Sequence, residues 1–179
     1  MVSQKEDCME FQIKKAKSQQ YEAVITLIQN VLDTLPQKEW FAADNADFTR
    51  TILTEGKATA YIAVCMDTAE IAGTFITVIP GNSIENLGFD TGLSDRELLK
   101  VAHMDSAAVL PAYRGYHLQK KLMLFAEKEL KADGYRYLCC TIHPDNKYSM
   151  NSARSLGYEI VKVCEKYGGY LRAVLMKEL

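Results

Sequence analysis

The strongest candidate for chemistry in this sequence is a short turn between an alternating segment and a helical one. It reads Tyr113-Arg114-Gly115-Tyr116-His117. A turn that leads into a helix can aim free backbone N–H groups, and the positive end of the helix dipole, at an anion. It can also be a plain strand–helix connection that contains an arginine. Two known phosphate-binding patterns, G-x-x-x-x-G-K-[ST] and G-x-G-x-x-G after the first strand, are absent.

Two ionisable side chains precede the turn. Residues 101–109 are assigned a period of two, with His103, Asp105 and Val109 in one of the two alternating sets, which predicts a strand that ends before Pro111. By that alternation, His103 and Asp105 share a face with Val109. Such a pair either accepts protons or is hydrogen-bonded within the core.

The remaining pattern supplies the elements that must position these groups. Strands are predicted at 9–16, 57–66, 70–79, 101–109, 135–142, 159–165 and 170–176. Helices are predicted from Ser18 as the cap to the residues before Pro36, at 44–54, at 95–98, from 118 to Gly134, and from Asn146 to Gly157. Residues 80–93 lack a period and are expected to form a loop.

A crossover in mid-chain requires a parallel pair of strands, and hairpins require antiparallel pairs. The sequence therefore predicts an α/β (α+β) fold with a mixed, mostly antiparallel sheet of about seven strands and helices on both faces. The parallel pair joins the fourth and fifth strands through the long helix. With 179 residues, a single domain over 1–179 is expected.

Composition excludes several classes of function. The net charge of −2 attracts no polyanion, so no nucleic-acid partner is expected. The charged N-terminus lacks the apolar core of a signal peptide, and no apolar run approaches the ~18 residues of a membrane span, so we expect a cytoplasmic protein without a membrane partner. The five cysteines lack metal-ligand spacing and are read as reduced core residues, and no metal is expected.

Two segments of the second half carry a family resemblance. The first opens the long helix, and the second begins another helix and closes it eleven residues later: Val109-x-Pro111-x-Tyr113-Arg114-Gly115, and His143-Pro144-Asp145-Asn146 with Leu156-Gly157-Tyr158. Together they resemble the GNAT superfamily of acyl-CoA-dependent N-acyltransferases. The resemblance covers residues 101–157, and the first half matches in its order of elements alone.

The resemblance implies acetyl-CoA (CoA) as co-substrate and a site for it. The turn would hold the pyrophosphate through a window made of Arg114, Gly115, Tyr116, His117, Leu118 and Gln119. Asn146 would bond the pantetheine arm, with Ser149 nearby. The strand before the turn would splay from the next parallel strand and offer its backbone near Ala107 and Val109 to the pantetheine.

Two positions in the window depart from the family pattern. His117 stands where the family has glycine, and Gln119 where it has glycine or alanine. His117 either points outward from a helical first turn, as a weak phosphate partner, or narrows the turn and reduces binding. A helical backbone needs no glycine, which favours the first interpretation.

The implied reaction moves an acetyl group directly to the primary amine of a small molecule. The base would be Asp105 or His103, and the Val109 N–H would stabilise the oxyanion. Ala153 replaces the family's usual tyrosine acid, which leaves a hydroxyl of Tyr148 or Tyr158. The alternatives are a catalytically weak or inactive CoA-binding domain and a protein or peptide N-acetyltransferase.

The acceptor is not specified by the sequence. Acidic residues in and behind the loop weakly favour a cationic amine: Glu85, Asp90, Asp95 and Glu97. Arg172 could instead pair with a substrate carboxylate. Trp40, Phe41 and Tyr170 either line an apolar wall or belong to the core. A homodimer is compatible with the resemblance, since dimers are common in that family.

Overall fold

The computed structural model describes residues 9–42 and 44–179. The strands are β1 (Phe11–Lys15), β2 (Ala58–Cys65), β3 (Ile71–Val78), β4 (Val101–Val109), β5 (Tyr137–Ile142), β6 (Glu159–Lys166) and β7 (Tyr170–Glu178). The helices are α1 (Tyr21–Thr34), α2 (Ala46–Thr54), α3 (Asp95–Leu98), α4 (Leu118–Ala132) and α5 (Lys147–Ser155). Short 3-10 turns lie at Ser18–Gln20, Lys38–Trp40, Leu87–Thr91 and Pro111–Tyr113.

The strands form one seven-stranded sheet in the order β1-β2-β3-β4-β5-β7-β6. β4 and β5 pair in parallel, because α4 returns the chain to the end at which β4 began. The other neighbouring strands of the described chain are antiparallel. The predicted fold, with its single parallel crossover, is confirmed.

Helices cover both sides of this sheet, as predicted. Along β2, Tyr61 and Ala63 belong to the core beneath α4 and α5, and Ala60 and Ile62 belong to the core beneath α1 and α2. We call these sides the α4 face and the α1 face. The helix α1 reaches its core because its buried apolar residues recur at one-, three- and four-residue steps.

Two local expectations were wrong. Ser18 does not cap a helix, because it is the first residue of a 3-10 turn in which the Gln20 side chain accepts the Lys17 N–H at 3.0 Å. Residues 80–93 are not wholly irregular, since they contain the Leu87–Thr91 turn. Asn86 is buried there and bonds the Gly81 carbonyl at 2.8 Å, so the loop is held by its own side chain.

Candidate active site

A cleft opens between the two parallel strands. Their pairing ends at His103 and Cys139, although β4 continues to Val109 and β5 to Ile142. The splay expected from the sequence is therefore present. Along β3, β4 keeps its partners as far as Val109. Beyond His103 its other edge has no strand partner in the described chain, and an unpaired edge can receive an extended ligand.

The direction of backbone groups along this edge follows from one hydrogen bond. The Leu110 N–H donates to the Ala72 carbonyl, on the β3 side, at 2.9 Å. Successive N–H groups of a strand point to opposite edges. The N–H groups of Val109 and Ala107 therefore point into the cleft, where the family resemblance implies that they contact pantetheine.

A β-bulge interrupts β4 at the mouth of the cleft. Ile76 of β3 pairs with Ser106 and the next residue, Thr77, pairs with Met104, so Asp105 has no partner on β3. An extra residue reverses the alternation of faces that follows it. Because of the bulge, the Asp105 side chain belongs neither to the α4-face core nor to the α1-face core.

The bulge overturns the expectation that His103 shares a face with Val109. His103 pairs with Val78, which packs on the α1 face. Val109 packs on the α4 face. Alternation predicted a common face, but the extra residue at Asp105 moves Val109 to the opposite one.

Asp105 has the properties of a proton acceptor. Desolvation by the surrounding atoms raises the pKa of its carboxyl to about 6, and the negative charge of Asp44 adds to this rise. A hydrogen bond of 2.7 Å donated by the Ser106 hydroxyl opposes it. The residue nevertheless keeps an exposed surface, so that water and protons reach the carboxyl.

His103 has a different task. Its Nε2 accepts the Leu87 N–H at 3.0 Å, so the lone pair that a base would use is engaged. Burial, with a smaller contribution from the charge of Lys166, lowers the pKa of His103 to about 4. The imidazole is thus neutral at pH 7 and anchors the Leu87–Thr91 turn, which argues against the expected role as a base.

The turn before α4 has the free backbone donors that the sequence indicated. The first intrahelical bond of α4 runs from the Lys121 N–H to the His117 carbonyl at 3.0 Å. The N–H groups of Leu118, Gln119 and Lys120 precede it, and no side chain caps the helix. Gly115 has a φ of +91°, which a glycine adopts without strain.

His117 differs from its expected conformation. It is the N-cap of α4 in the left-handed region, with φ 57° and ψ 30°. The assumption of a helical backbone at this residue was therefore wrong, and the glycine of the family pattern has a conformational reason. Histidine enters this region more readily than most residues. Gln119 lies inside the helix, where no glycine is required.

Two side-chain contacts link the turn to neighbouring elements. The Tyr113 hydroxyl donates to Glu70 Oε2 at 2.6 Å, which ties the turn to the end of the β2–β3 hairpin. The Tyr116 ring lies 5.2 Å from the ring of Phe11. These contacts hold the donors of the turn in one arrangement.

On α5, Asn146 acts as the helix cap. Its Oδ1 accepts the Ser149 N–H at 3.2 Å, which leaves the amide NH2 group available to a ligand. The predicted cap is confirmed, and the bond to pantetheine stays a prediction for both residues.

The hydroxyl groups proposed as acids are poorly placed. Tyr148 is 83% exposed and has no hydrogen-bond partner within the described residues. The Tyr158 hydroxyl is buried near Glu127, and burial raises its pKa. Ala153, at the usual tyrosine position, is fully buried in the α4-face core.

A different tyrosine, missed in the sequence, reaches the cleft. The Tyr167 hydroxyl lies 3.1 Å from Thr141 Oγ1, on the part of β5 beyond the parallel pairing. Burial raises the pKa of Tyr167, the negative charge of Asp105 adds to the rise, and the positive charge of Arg172 opposes it. The only sequence signal was the Tyr-Gly-Gly-Tyr turn at 167–170.

Two of the four acidic residues in and behind the loop, Asp90 and Glu97, are engaged by neighbouring side chains. Asp90 forms ion pairs with Lys162 and Lys166 of β6. Glu97 accepts from the Ser94 hydroxyl at 2.6 Å and from the Tyr137 hydroxyl at 2.9 Å. These carboxylates stabilise the loop, so the expected attraction of a cationic amine is not supported by them.

Residues 9–42 and 44–179 contain no group of three or more His, Cys, Asp or Glu side chains placed to hold a metal ion. Within the same residues, no helix has the length and apolarity required to cross a membrane.

Sequence comparison identifies one family. The model of the "Acetyltransferase (GNAT) family" matches residues 25–158. No curated protein is significantly similar in sequence.

Solved structures share the fold at low identity. A GCN5-related N-acetyltransferase from Kribbella flavida is 15% identical, with a TM-score of 0.68 over 94% of this chain and 98% of that one. The NatC complex bound to Gag peptide and CoA contains a chain that is 18% identical, with a TM-score of 0.72 over 96% and 99%. A Salmonella typhimurium structure with its cofactor acetyl-CoA is 18% identical, with a TM-score of 0.65 over 94% of each chain.

Proposed function

The chain belongs to the GNAT acetyltransferase family of acyl-CoA-dependent acyltransferases, and we propose that it moves an acetyl group from acetyl-CoA directly to the primary amine of a small molecule. The observation that carries this proposal is the Asp105 bulge. It brings a carboxyl with a pKa of about 6 to the point where the parallel strands part.

The described residues fit the co-substrate. The uncapped N–H groups of Leu118, Gln119 and Lys120 suit a pyrophosphate at the start of α4. The cleft-facing N–H groups of Ala107 and Val109 suit the amides and the thioester carbonyl of an extended pantetheine chain. The Asn146 amide lies on α5 beyond the other side of the cleft, after the end of β5.

The reaction follows from these positions. An ammonium acceptor loses a proton to Asp105, directly or through water, and the free amine attacks the thioester carbon. The Val109 N–H stabilises the oxyanion that forms. The carbon–sulfur bond then breaks, and the Tyr167 hydroxyl protonates the departing thiolate. The resulting tyrosinate takes up the proton that the attacking nitrogen releases as the amide forms. Tyr167 thus supplies the acid that Ala153 cannot.

Two other functions draw on specific observations. A weak or inactive CoA-binding domain is favoured by the left-handed His117 and by Ala153. A protein or peptide acceptor is suggested by the peptide in the NatC complex, although 18% identity carries only the fold. The small-molecule proposal predicts that free amines are acetylated faster than peptide N-termini.

Calorimetry with acetyl-CoA, followed by CoA release against amines and peptides, separates the three. We expect binding and amine-dependent CoA release that the Asp105→Asn variant loses. Binding without turnover on any acceptor would establish the inactive domain. Absence of binding at millimolar acetyl-CoA would refute all three functions.

A further inference from the structure

Arg172 of β7 is a buried cation without an anionic partner. The residue is 2% exposed, and no acidic side chain of the described chain forms an ion pair with it. Its guanidinium donates to two carbonyl oxygens, those of Leu171 at 2.9 Å and Glu39 at 2.6 Å. The ring of Tyr170 lies 5.4 Å away.

These contacts use only part of what a guanidinium offers. An arginine has five N–H donors, and the two carbonyls account for two of them. Carbonyls and a ring face carry no negative charge, and the Glu39 carboxylate acts on Arg172 without forming an ion pair. The buried charge therefore lacks a counter-ion in contact with it, which is costly. Burial correspondingly lowers the pKa of Arg172. An anion at this position would use the spare donors and neutralise the charge.

A second unused donor lies on the segment to which Arg172 is hydrogen-bonded. Trp40 directly follows Glu39 in the Lys38–Trp40 turn. Its indole N–H is buried and has no acceptor among the described residues. Buried donors in native proteins are usually paired, so an unpaired one can take an acceptor that the described residues do not supply. Arg172 and Trp40 together form what we call the Arg172 site.

Electrostatic effects link the Arg172 site to the candidate catalytic groups of the cleft. The Tyr167 hydroxyl, bonded to Thr141 at 3.1 Å, is within electrostatic reach of both Arg172 and Asp105. Near the base, Asp44 adds a second negative charge. Negative charge at one end and positive charge at the other complement a molecule with an ammonium and a carboxylate.

We propose that Arg172 and the Trp40 indole N–H bind a carboxylate of the acceptor, so that the substrate is an amino acid or another small amine that carries a carboxylate. This inference rests on the proposed function, because it names the acceptor of the same site. The carboxylate accepts from the guanidinium and the indole, and the amine is directed towards Asp105.

Binding can be tested without any turnover. Trp40 is the single tryptophan of the sequence, so its indole N–H gives one assignable cross-peak in a ¹H–¹⁵N spectrum. We expect acetate and glycine to shift this peak saturably, and glycinamide or sodium chloride at equal ionic strength not to. The proposal is overturned if neither carboxylate shifts the peak, or if chloride shifts it equally.

Variants assign the effect to the residues. Arg172→Lys keeps a cation but loses the fork, so acetate affinity should fall about tenfold. Arg136→Lys is the matched control, since Arg136 is exposed and paired with Glu178. Glu39→Gln tests whether the Glu39 carboxylate already closes on Arg172. Acetate binding seen only in that variant would overturn the proposal, and unchanged binding would support it.

Kinetics complete the test. For an amino acid and its amide as matched acceptors, Trp40→Phe removes one donor and keeps the ring. We expect the KM of the amino acid to rise about tenfold and that of the amide to stay within about twofold. Equal rises for both would show that Trp40 only supports the turn, against the proposal. A chain that acetylates no amine would refute the proposed function, and the indole titration would then decide this inference by itself.

Discussion

Replacing Asp105 with asparagine isolates the charge from the shape of the candidate base. The side chains have the same size, and the asparagine oxygen can still accept from the Ser106 hydroxyl. Removal of a general base typically lowers the rate by about 10²–10⁴-fold. We therefore expect kcat/KM for an amine acceptor to fall by that factor, while calorimetry gives unchanged affinity for acetyl-CoA.

The pH dependence gives a sharper result. With a pKa of about 6, Asp105 is about 90% ionised at pH 7 and about 10% ionised at pH 5, whereas at the usual value of 3.8 it would remain ionised at both. Because Asp105 accepts its proton from the ammonium form of the acceptor, the plot of log kcat/KM for the wild type should be level between pH 6 and the pKa of the amine, and should fall with a slope of one below pH 6. In Asp105→Asn only the free amine reacts, so log kcat/KM should rise with a slope of one throughout that range.

Stability distinguishes loss of the base from loss of the fold. The pKa of Asp105 rises on folding from 3.8 to about 6, so the folded state holds the proton more tightly. Its contribution to stability is present below pH 3.8 and is lost as pH rises through 6. Because the residue is exposed, screening limits this effect to about 1 kcal/mol. Asp105→Asn should therefore unfold at equal or higher urea concentration at pH 7.

A variant whose log kcat/KM stays level above pH 6 and falls below it, or whose rate is within about threefold of the wild type, would refute Asp105 as the base.

Three further substitutions test other parts of the site. Tyr167→Phe should lower kcat about tenfold and leave the KM for acetyl-CoA unchanged. If the rate of this variant does not change with the pKa of the leaving thiol in acyl-CoA analogues, the role of Tyr167 as an acid is contradicted. His117→Gly removes a side chain from a left-handed backbone position, so the free energy of unfolding should rise by about 1 kcal/mol in thermal denaturation. Calorimetry should also show tighter CoA binding, whereas weaker binding would mean that the imidazole itself contacts phosphate. Asp90→Asn breaks the ion pairs to Lys162 and Lys166, and we expect the free energy of unfolding in urea to fall by about 1 kcal/mol. Little change would contradict this and show that solvent already screens both pairs.

Local patterns predicted most of the fold. Alternation over 101–109 and the helical period after the turn gave β4, α4 and the crossover, because each depends on neighbours in sequence. The bulge was beyond that reach, since it is defined by how β4 pairs with β3 and no glycine marks Asp105. The face assigned to His103 failed for the same reason.

The site shows the same division between local and distant contacts. The free donors of the turn and the Asn146 cap were predicted from adjacent residues. Tyr167 was missed because a turn between β6 and β7 brings it to β5, which no spacing along the chain reveals. His117 was given a helical backbone because its side chain fits one, and only the surrounding chain fixes its left-handed φ.

The bulge also bears on how such a site can change over time. A residue that pairs with no neighbouring strand and enters no core is released from the constraints on the rest of β4. Point substitutions at Asp105 can therefore exchange one reactive group for another while the sheet is preserved. A deletion of the same residue would join Met104 directly to Ser106, whose partners Thr77 and Ile76 are also adjacent, so each would keep its present face. Both substitution and deletion at this one position can therefore change the chemistry while the two faces of the sheet are preserved.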